Sequence, residues 1–407
     1  MPSTLELSSG PLKSPFLTEG QLSWLNKAGQ FADTVPLSEV LKSDSENIFR
    51  RDLFELACKE GFGSLPFPKD YGGSGGDYVS FCLVNEVFAR RCLPVMSSLG
   101  VHVLCQEPIY AFGTEEQKRK YLPLASSGRY LAAFALTEPG AGSDTANLQA
   151  SARLSGNEYI LNGTKTFITS GGAADFYIVM ARLKNDGTKG SLAASKGDAH
   201  EGSSAISSFI VERNFPGFSV GQKFDMLGMR GYATCEIVMN DCRVPKANML
   251  GAPGEGRKVA LSSLARGRVT IAAQATGWGQ GALDAVVRLL KEKYARSTSE
   301  HGQMNYTSSE YLLGAMLVEV ESARALTYQA ALSIDSGQSD VNLAAMAKVQ
   351  ATDMAMKIST QAISLAGSQG LQPDLLLERI FRDAKAGQIY EGTNQIQRML
   401  IARKLLD

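Results

Sequence analysis

Histidine, tryptophan and paired cysteine are scarce in this chain, and neither sign of charge prevails. Only three of its 407 residues are His and two are Trp. Its cysteines (Cys58, Cys82, Cys92, Cys105, Cys235 and Cys242) are scattered, with no CxxC pair and no disulfide-like framework. Such scarcity argues against a zinc site, and the thiols read as reduced and mostly structural, as a cytoplasmic protein would have them. Lys plus Arg number 41, as do Asp plus Glu, so the formal charge is zero. That balance offers no field for a nucleic acid partner. No apolar run approaches the roughly 20 residues of a membrane helix, so no membrane partner is expected. The first ten residues lack a basic n-region, an apolar h-region and the Arg-rich character of a transit peptide. The expectation is a soluble, unexported, cytoplasmic protein.

Single cores stop growing at roughly 250–300 residues, which implies two or three domains here. Residues 1–130 read as a mainly helical domain, 131–250 as a small β domain and 251–407 as a helical bundle, an α+β chain. Ile48, Leu53, Leu56 and Ala57 fall at helical spacing, and Gly61 stops that run. Further helices are predicted over 78–89 and 97–112, and a charged one from Glu115 to near Pro123. Apolar or alternating runs at 159–161, 176–181, 208–211 and 235–239, separated by turn residues, predict strands. The Gly-, Ser- and charge-rich stretch 184–204 reads as a long surface loop, and 251–256 as a linker. Helical periodicity then returns over about 258–295, 308–336, 341–366, 374–386 and 393–405.

Chemistry points first to Glu391. It stands in Gln388-Ile389-Tyr390-Glu391-Gly392-Thr393-Asn394-Gln395-Ile396-Gln397, a Gly- and amide-rich segment between two helix-like runs. A carboxylate beside Tyr390, Ile389 and Ile396 should be in apolar company, and burial raises its pKa towards that of a base acting near neutrality. On spacing alone, a solvated Glu capping a helix, with Gly392 in a turn, explains the segment better. The core Pro139-Gly140-Ala141-Gly142 lets backbone amides approach a polar ligand, yet taken alone it is equally an ordinary turn. It is no dinucleotide fingerprint, because no GxGxxG follows a strand and opens a helix.

Three segments, in order, resemble the acyl-CoA dehydrogenase family. They are the Glu391 segment, Phe134-Ala135-Leu136-Thr137-Glu138-Pro139-Gly140-Ala141-Gly142-Ser143-Asp144, and Gly163-Thr164-Lys165-Thr166-Phe167-Ile168-Thr169-Ser170-Gly171-Gly172. The resemblance implies an acyl-CoA dehydrogenase-like fold: an N-terminal helical domain, a central β-barrel domain and a C-terminal four-helix-bundle-like domain. It also implies FAD and the α,β-dehydrogenation of an acyl thioester, Glu391 removing the α proton and flavin N5 taking the β hydride. The backbone N–H of Glu391 and a ribityl hydroxyl would hold the thioester carbonyl. Phe134, Leu136, Thr137, Ser143, Phe167, Thr169, Thr393 and Gln395 match flavin-binding positions, the last two often across a subunit boundary. Ser143, Arg268 and Gly392 match the substrate side, although Arg268 also reads as half of a salt bridge on a long helix. Some branches carry the base near residue 267; Gly267 there leaves Glu391 without a competitor.

The chain departs from the family in two places. Where the family has Glu-Arg-x-x-Phe-Gly, its Arg on the FAD pyrophosphate, residues 291–302 place Lys293 or, in a second register, Thr298 at the Arg position. Lys293 and Arg296 are the charges left for a phosphate, and a neighbouring Gly-rich turn becomes Gly367-Ser368-Gln369-Gly370. An acidic CoA contact expected near position 265 is Ala265, which leaves room for an acyl-carrier-protein thioester in a biosynthetic pathway as the alternative substrate. Electrons would leave to an electron-transfer flavoprotein or to oxygen. A flavin oxidase or monooxygenase on the same fold is a second alternative, against which Glu391 counts. DNA-binding relatives carry a basic C-terminal extension, whereas this sequence closes on Arg403-Lys404-Leu405-Leu406-Asp407. The resemblance further implies a homodimer or homotetramer. Leu99, Val103, Tyr232 and Ile389 are candidates to line an acyl pocket, with plain packing as the competing role.

Overall fold

The computed structural model describes residues 17–184, 206–300 and 307–406. The first residues, nearly all of the loop expected over 184–204, and His301 and Gly302 lie outside the described residues, as do the side chains of Arg296 and Thr298.

Six helices open the chain: α1 (Glu19–Asp33), α2 (Leu37–Ser45), α3 (Arg51–Lys59), α4 (Tyr78–Arg90), α5 (Met96–Phe112) and α6 (Glu115–Ser126). Capping boxes start α1 and α6, with Thr18 and Gln21 and then Thr114 and Gln117 satisfying each other's backbone N–H groups. The stripe predicted from Ile48 needs correcting. Ser43 and Ile48 exchange hydrogen bonds, closing a turn after α2, so the helix begins only at Arg51. Ile48 and Leu56 are exposed, and Leu53, Phe54, Ala57 and Cys58 form the buried face. Nor does α6 stop at Pro123; it continues to Ser126, because a proline on the exposed face forfeits a single backbone bond.

Eight strands follow: β1 (Ala132–Ala135), β2 (Ser151–Ser155), β3 (Glu158–Ile168), β4 (Phe176–Leu183), β5 (Ile206–Glu212), β6 (Phe218–Lys223), β7 (Cys235–Pro245) and β8 (Met249–Leu250). They make one mixed sheet in the order β6-β7-β3-β2-β4-β5-β8, with β1 parallel to β4. The four runs read from the sequence became the long ladders β3–β7 and β4–β5. The other four strands are short or, like β6, largely exposed, and carry little apolar pattern.

The remaining helices are α7 (Gly256–Glu300), α8 (Thr307–Asp335), α9 (Val341–Ala366), α10 (Leu377–Gly387) and α11 (Asn394–Leu406). The helix expected from 374 begins later, since Leu376 takes a left-handed conformation (φ 59°) between a short 3-10 turn and α10. Helix α7 runs backbone-to-backbone against α4. A Cβ on Gly277 would lie 2.3 Å from the Glu86 carbonyl oxygen, and one on Gly281 2.6 Å from that of Arg90. Only glycine fits at either place.

Buried polar groups join these layers. On α5, His102 accepts from the Ala132 N–H at 3.1 Å through Nδ1, while Nε2, 3.1 Å from the Ala125 carbonyl, donates to it. Burial pushes its pKa down to about 4, so the ring stays neutral. Helix α10 is tied to the N-terminal helices by Arg379, which donates to the Val40 carbonyl at 2.8 Å, and by Arg382, paired with Asp44 at 2.6 Å. Asp383 accepts from the Met229 N–H at 2.5 Å. These contacts fix the end of α10, and with it the turn that follows. No helix among the described residues is long and apolar enough to cross a membrane.

Candidate active site

The turn between α10 and α11 carries Glu391 (φ 53°) and Gly392 (φ 92°), two left-handed residues in succession. For a glutamate that conformation costs on the order of 1–3 kcal/mol and persists only where the surroundings impose it. Here they do. Gln397 Nε2 donates to the Glu391 and Gly392 carbonyls, each at 3.2 Å, and Lys348 Nζ on α9 donates to the Gly392 carbonyl at 3.0 Å. Lys348 also donates to Asn394 Oδ1 at 2.8 Å, and Asn394 Nδ2 donates to Thr352 and Asp353. At φ 92° Gly392 occupies a conformation that suits glycine, and a Cβ there would also displace Gln397 Nε2, 2.3 Å away.

The Glu391 carboxyl lies against α7. A Cβ on Gly267 would sit 2.2 Å from Oε2 and 2.9 Å from Cδ, so the missing side chain is what gives the carboxyl its place. Oε2 is buried and has no hydrogen-bond partner among the described residues. Burial raises the pKa to about 7, against the pull of Arg268 and Lys348. The apolar company comes from across the fold and not from the chain neighbours: Ile389 is exposed, while Gly267 and Cys105 of α5 lie within reach of the carboxyl or its charge. Arg268 is itself buried beside this charge, with Nε unpartnered and its pKa lowered by burial. No carboxylate pairs with it among the described residues, so the salt bridge weighed for Arg268 is not formed.

The first flavin-like loop is pinned from below. Lys165 of β3, fully buried, donates to the Leu136 carbonyl at 3.0 Å and to Glu138 at 2.6 Å. Glu138 in turn accepts from the Gln149 and Ala150 N–H groups, and the Thr137 carbonyl from the Thr166 N–H. Leu136 borders a narrow apolar groove with Thr145, Leu148, Met180, Ala260 and Leu264. Ala260, Leu264 and Gly267 follow at helical spacing, so one face of α7 leads from this groove to Glu391. Phe134 and Leu136 both pack against the buried cluster around Phe176 and Ile178, and Ser143 is exposed. Phe167 is 55% exposed, with φ 55°, and stacks on Phe224 at 4.6 Å; Thr169 is half-buried.

The structure thus brings Glu391, Gly392 and Arg268 together. It leaves Ser143, Phe167 and Gln395 on open surface, with no hydrogen bond or ring contact to Glu391 among the described residues. Thr393 caps α11, its Oγ1 accepting from the Ile396 N–H at 3.4 Å. Leu99, Val103 and Tyr232 belong to the main core, the Tyr232 hydroxyl donating to the Leu93 carbonyl at 3.0 Å. Lys293, a candidate phosphate ligand, donates instead to the Ala366 carbonyl at 3.4 Å. Lys348 and the Lys165–Glu138 pair escaped the sequence reading. For Lys348 a signal existed: a lone lysine on the apolar stripe of Ala344, Ala345, Ala347, Ala351 and Ala355.

Models of the N-terminal, middle and C-terminal domains of acyl-CoA dehydrogenases match residues 18–129, 133–242 and 254–406. An acyl-CoA dehydrogenase of Bacillus subtilis (strain 168) is 38% identical over 395 residues, 96% of this chain and 99% of that protein. The solved structure of butyryl-CoA dehydrogenase from Megasphaera elsdenii matches with a TM-score of 0.87 at 37% identity, covering 96% of this chain and 99% of that one. The prolyl acyl carrier protein oxidase AnaB matches with a TM-score of 0.85 at 31% identity over 96% of this chain and 99% of its own.

Proposed function

The chain belongs to the acyl-CoA dehydrogenase family of FAD-dependent oxidoreductases acting on CH–CH groups, and from that premise we propose that Glu391 removes the α proton of its acyl thioester substrate. One observation carries this reading: a half-buried glutamate whose Oε2 is buried, unpartnered and lodged against Gly267, its pKa raised to about 7. Such a group is half ionised at neutrality and exchanges a proton at little cost in driving force. The Glu391 backbone N–H has no acceptor among the described residues. It is free to hold the thioester carbonyl as enolate charge develops there.

The chain offers a surface that fits FAD. Phe167 leaves a large ring open in a strained backbone conformation, backed by Phe224, beside a loop whose half-buried Leu136 and Thr137 are locked in place. Phe134, Leu136, Thr137, Ser143, Phe167 and Thr169 would hold it, with Thr393 and Gln395 contributing to its nucleotide portion. When bound, FAD supplies the acceptor for the β hydride, which no side chain here provides. Arg268 stays beside the base and limits the rise of its pKa.

The substrate is read as an acyl-CoA, with an acyl-carrier-protein thioester as the second form. The second form is supported by the likeness to a prolyl acyl carrier protein oxidase and by Ala265, which brings no polar group to that stretch of α7. Reduced enzyme would pass electrons to an electron-transfer flavoprotein or to oxygen. Exposed Tyr311, Leu317, Val318 and Leu332 on α8 support burial against another copy, as a homodimer or homotetramer. A single monomeric species in analytical ultracentrifugation would count against that assembly.

The test is anaerobic bleaching of flavin absorbance by a panel of acyl-CoAs and acyl-carrier-protein thioesters. Bleaching by one class is expected and names the substrate form. Bound flavin that no thioester bleaches would instead point to monooxygenase or purely binding chemistry.

A further inference from the structure

We infer that Lys348 is a positioning residue for Glu391: a buried ammonium on α9 that holds the carbonyl side of the Glu391–Gly392 turn and keeps the neighbouring carboxyl ionisable. This deepens the proposed function and rests on its reading of Glu391 as the base.

The placement of Lys348 is costly and needs a reason. It is fully buried on the Ala-rich face of α9, where an ammonium loses its hydration. Its hydrogen-bond acceptors are the neutral Gly392 carbonyl and Asn394 Oδ1. No carboxylate lies within ion-pair distance among the described residues. Asp353, which acts on it from further off, is engaged by Arg398, Gln388 and Asn394.

A neutral donor would satisfy the Gly392 carbonyl equally well, and Gln397 already donates to it. What an amide cannot supply is charge. The titratable and charged groups facing Glu391 are Arg268 of α7, Lys348 of α9, Cys105 of α5 and, on its own turn, Tyr390. Gly267 contributes none. Two cations and no second carboxylate therefore surround a carboxyl that burial alone would keep protonated. Lys348 supplies one of the two cations from the same atom that restrains the turn. Burial draws its own pKa down only to about 8, so it remains mostly charged at neutrality.

The experiment titrates the Glu391 carboxyl in the flavin-loaded protein by infrared difference spectroscopy, with Glu391→Gln identifying its band. Wild type is compared with Lys348→Met, which removes charge and donor, and Lys348→Gln, which keeps a donor. Loss of one nearby cation is expected to raise the midpoint by about one pH unit in both variants. The acid limb of the kcat/KM profile moves with it, while at high pH Lys348→Gln retains more activity than Lys348→Met. Lys348→Met leaves the Gly392 carbonyl to Gln397 and Asn394 Oδ1 to Thr352 alone, which costs stability; should it fail to fold, Lys348→Gln carries the same measurement. An unchanged midpoint overturns the inference, whatever happens to turnover. Full activity of Glu391→Gln would instead remove the base assignment, leaving the titration and its dependence on Lys348 intact.

Discussion

Glu391→Gln is expected to abolish most thioester dehydrogenation while preserving the fold and the bound flavin. Glutamine has the same shape and cannot accept the proton, and a positioned general base is worth about 10²–10⁴-fold in rate. The turn survives because Gln397 and Lys348 hold it through backbone carbonyls, which the substitution leaves in place. In wild type, kcat/KM should fall about tenfold per pH unit below a limb near pH 7, and the variant's residual activity should lack that limb.

Stability should move the other way. The folded pKa of about 7 exceeds the ordinary 4.5, so the unfolded chain releases this proton more readily. Wild type therefore loses stability as pH rises from 4.5 to 7, by up to about 3 kcal/mol, and the variant does not. Melting temperatures should coincide near pH 4 and favour the variant at pH 8. Rapid bleaching of the variant's flavin by substrate would end the assignment of Glu391 as base.

The second large effect is expected from Gly267→Ala. A methyl group there would overlap Oε2 at 2.2 Å and crowd Oε1 at 3.1 Å. The obstructed group is the tip of a flexible side chain, so it yields while the backbone stays. Helix propensity even favours alanine, by about 1 kcal/mol. Turnover should fall about 10²-fold, the usual consequence of displacing a reacting group by an ångström. Double-mutant analysis separates this from general damage: once Glu391 is Gln, Gly267→Ala should cost little more. Equal losses in both backgrounds would show that Gly267 acts elsewhere.

Much of this site was legible because its chemistry is local in sequence. Glu391, Gly392 and the loop around Leu136 belong to contiguous segments, and their turn residues announce themselves. The reason for Glu391's burial was not local. Ile389 and Ile396 promised apolar company, whereas the carboxyl is enclosed by α7 and reached by charges from α7 and α9. Lys348 lies 43 residues before Glu391 (391 minus 348), and only the packing of α9 beneath the turn reveals the pairing. Gly267 could be read as lacking a base but not as making room for one. Among the elements, β3, β4, β5 and β7 carried enough apolar pattern to be found, and α3 was displaced because spacing gives a helix's face without giving its first residue.

Two further glycines on α7 bear on how this protein can vary in length. Gly277 and Gly281 lock the middle of the helix against the α4 backbone, and Gly267 meets Glu391 ten residues earlier (277 minus 267). A single inserted or deleted residue between them would turn Gly267 about 100° around the helix axis and shift it about 1.5 Å along it. The substituted helix would still form and still pack on α4, yet a side chain would swing into the place of the carboxyl. The interval between those glycines is thus a measured one: sequences that keep this chemistry can exchange residues along it but cannot change their number.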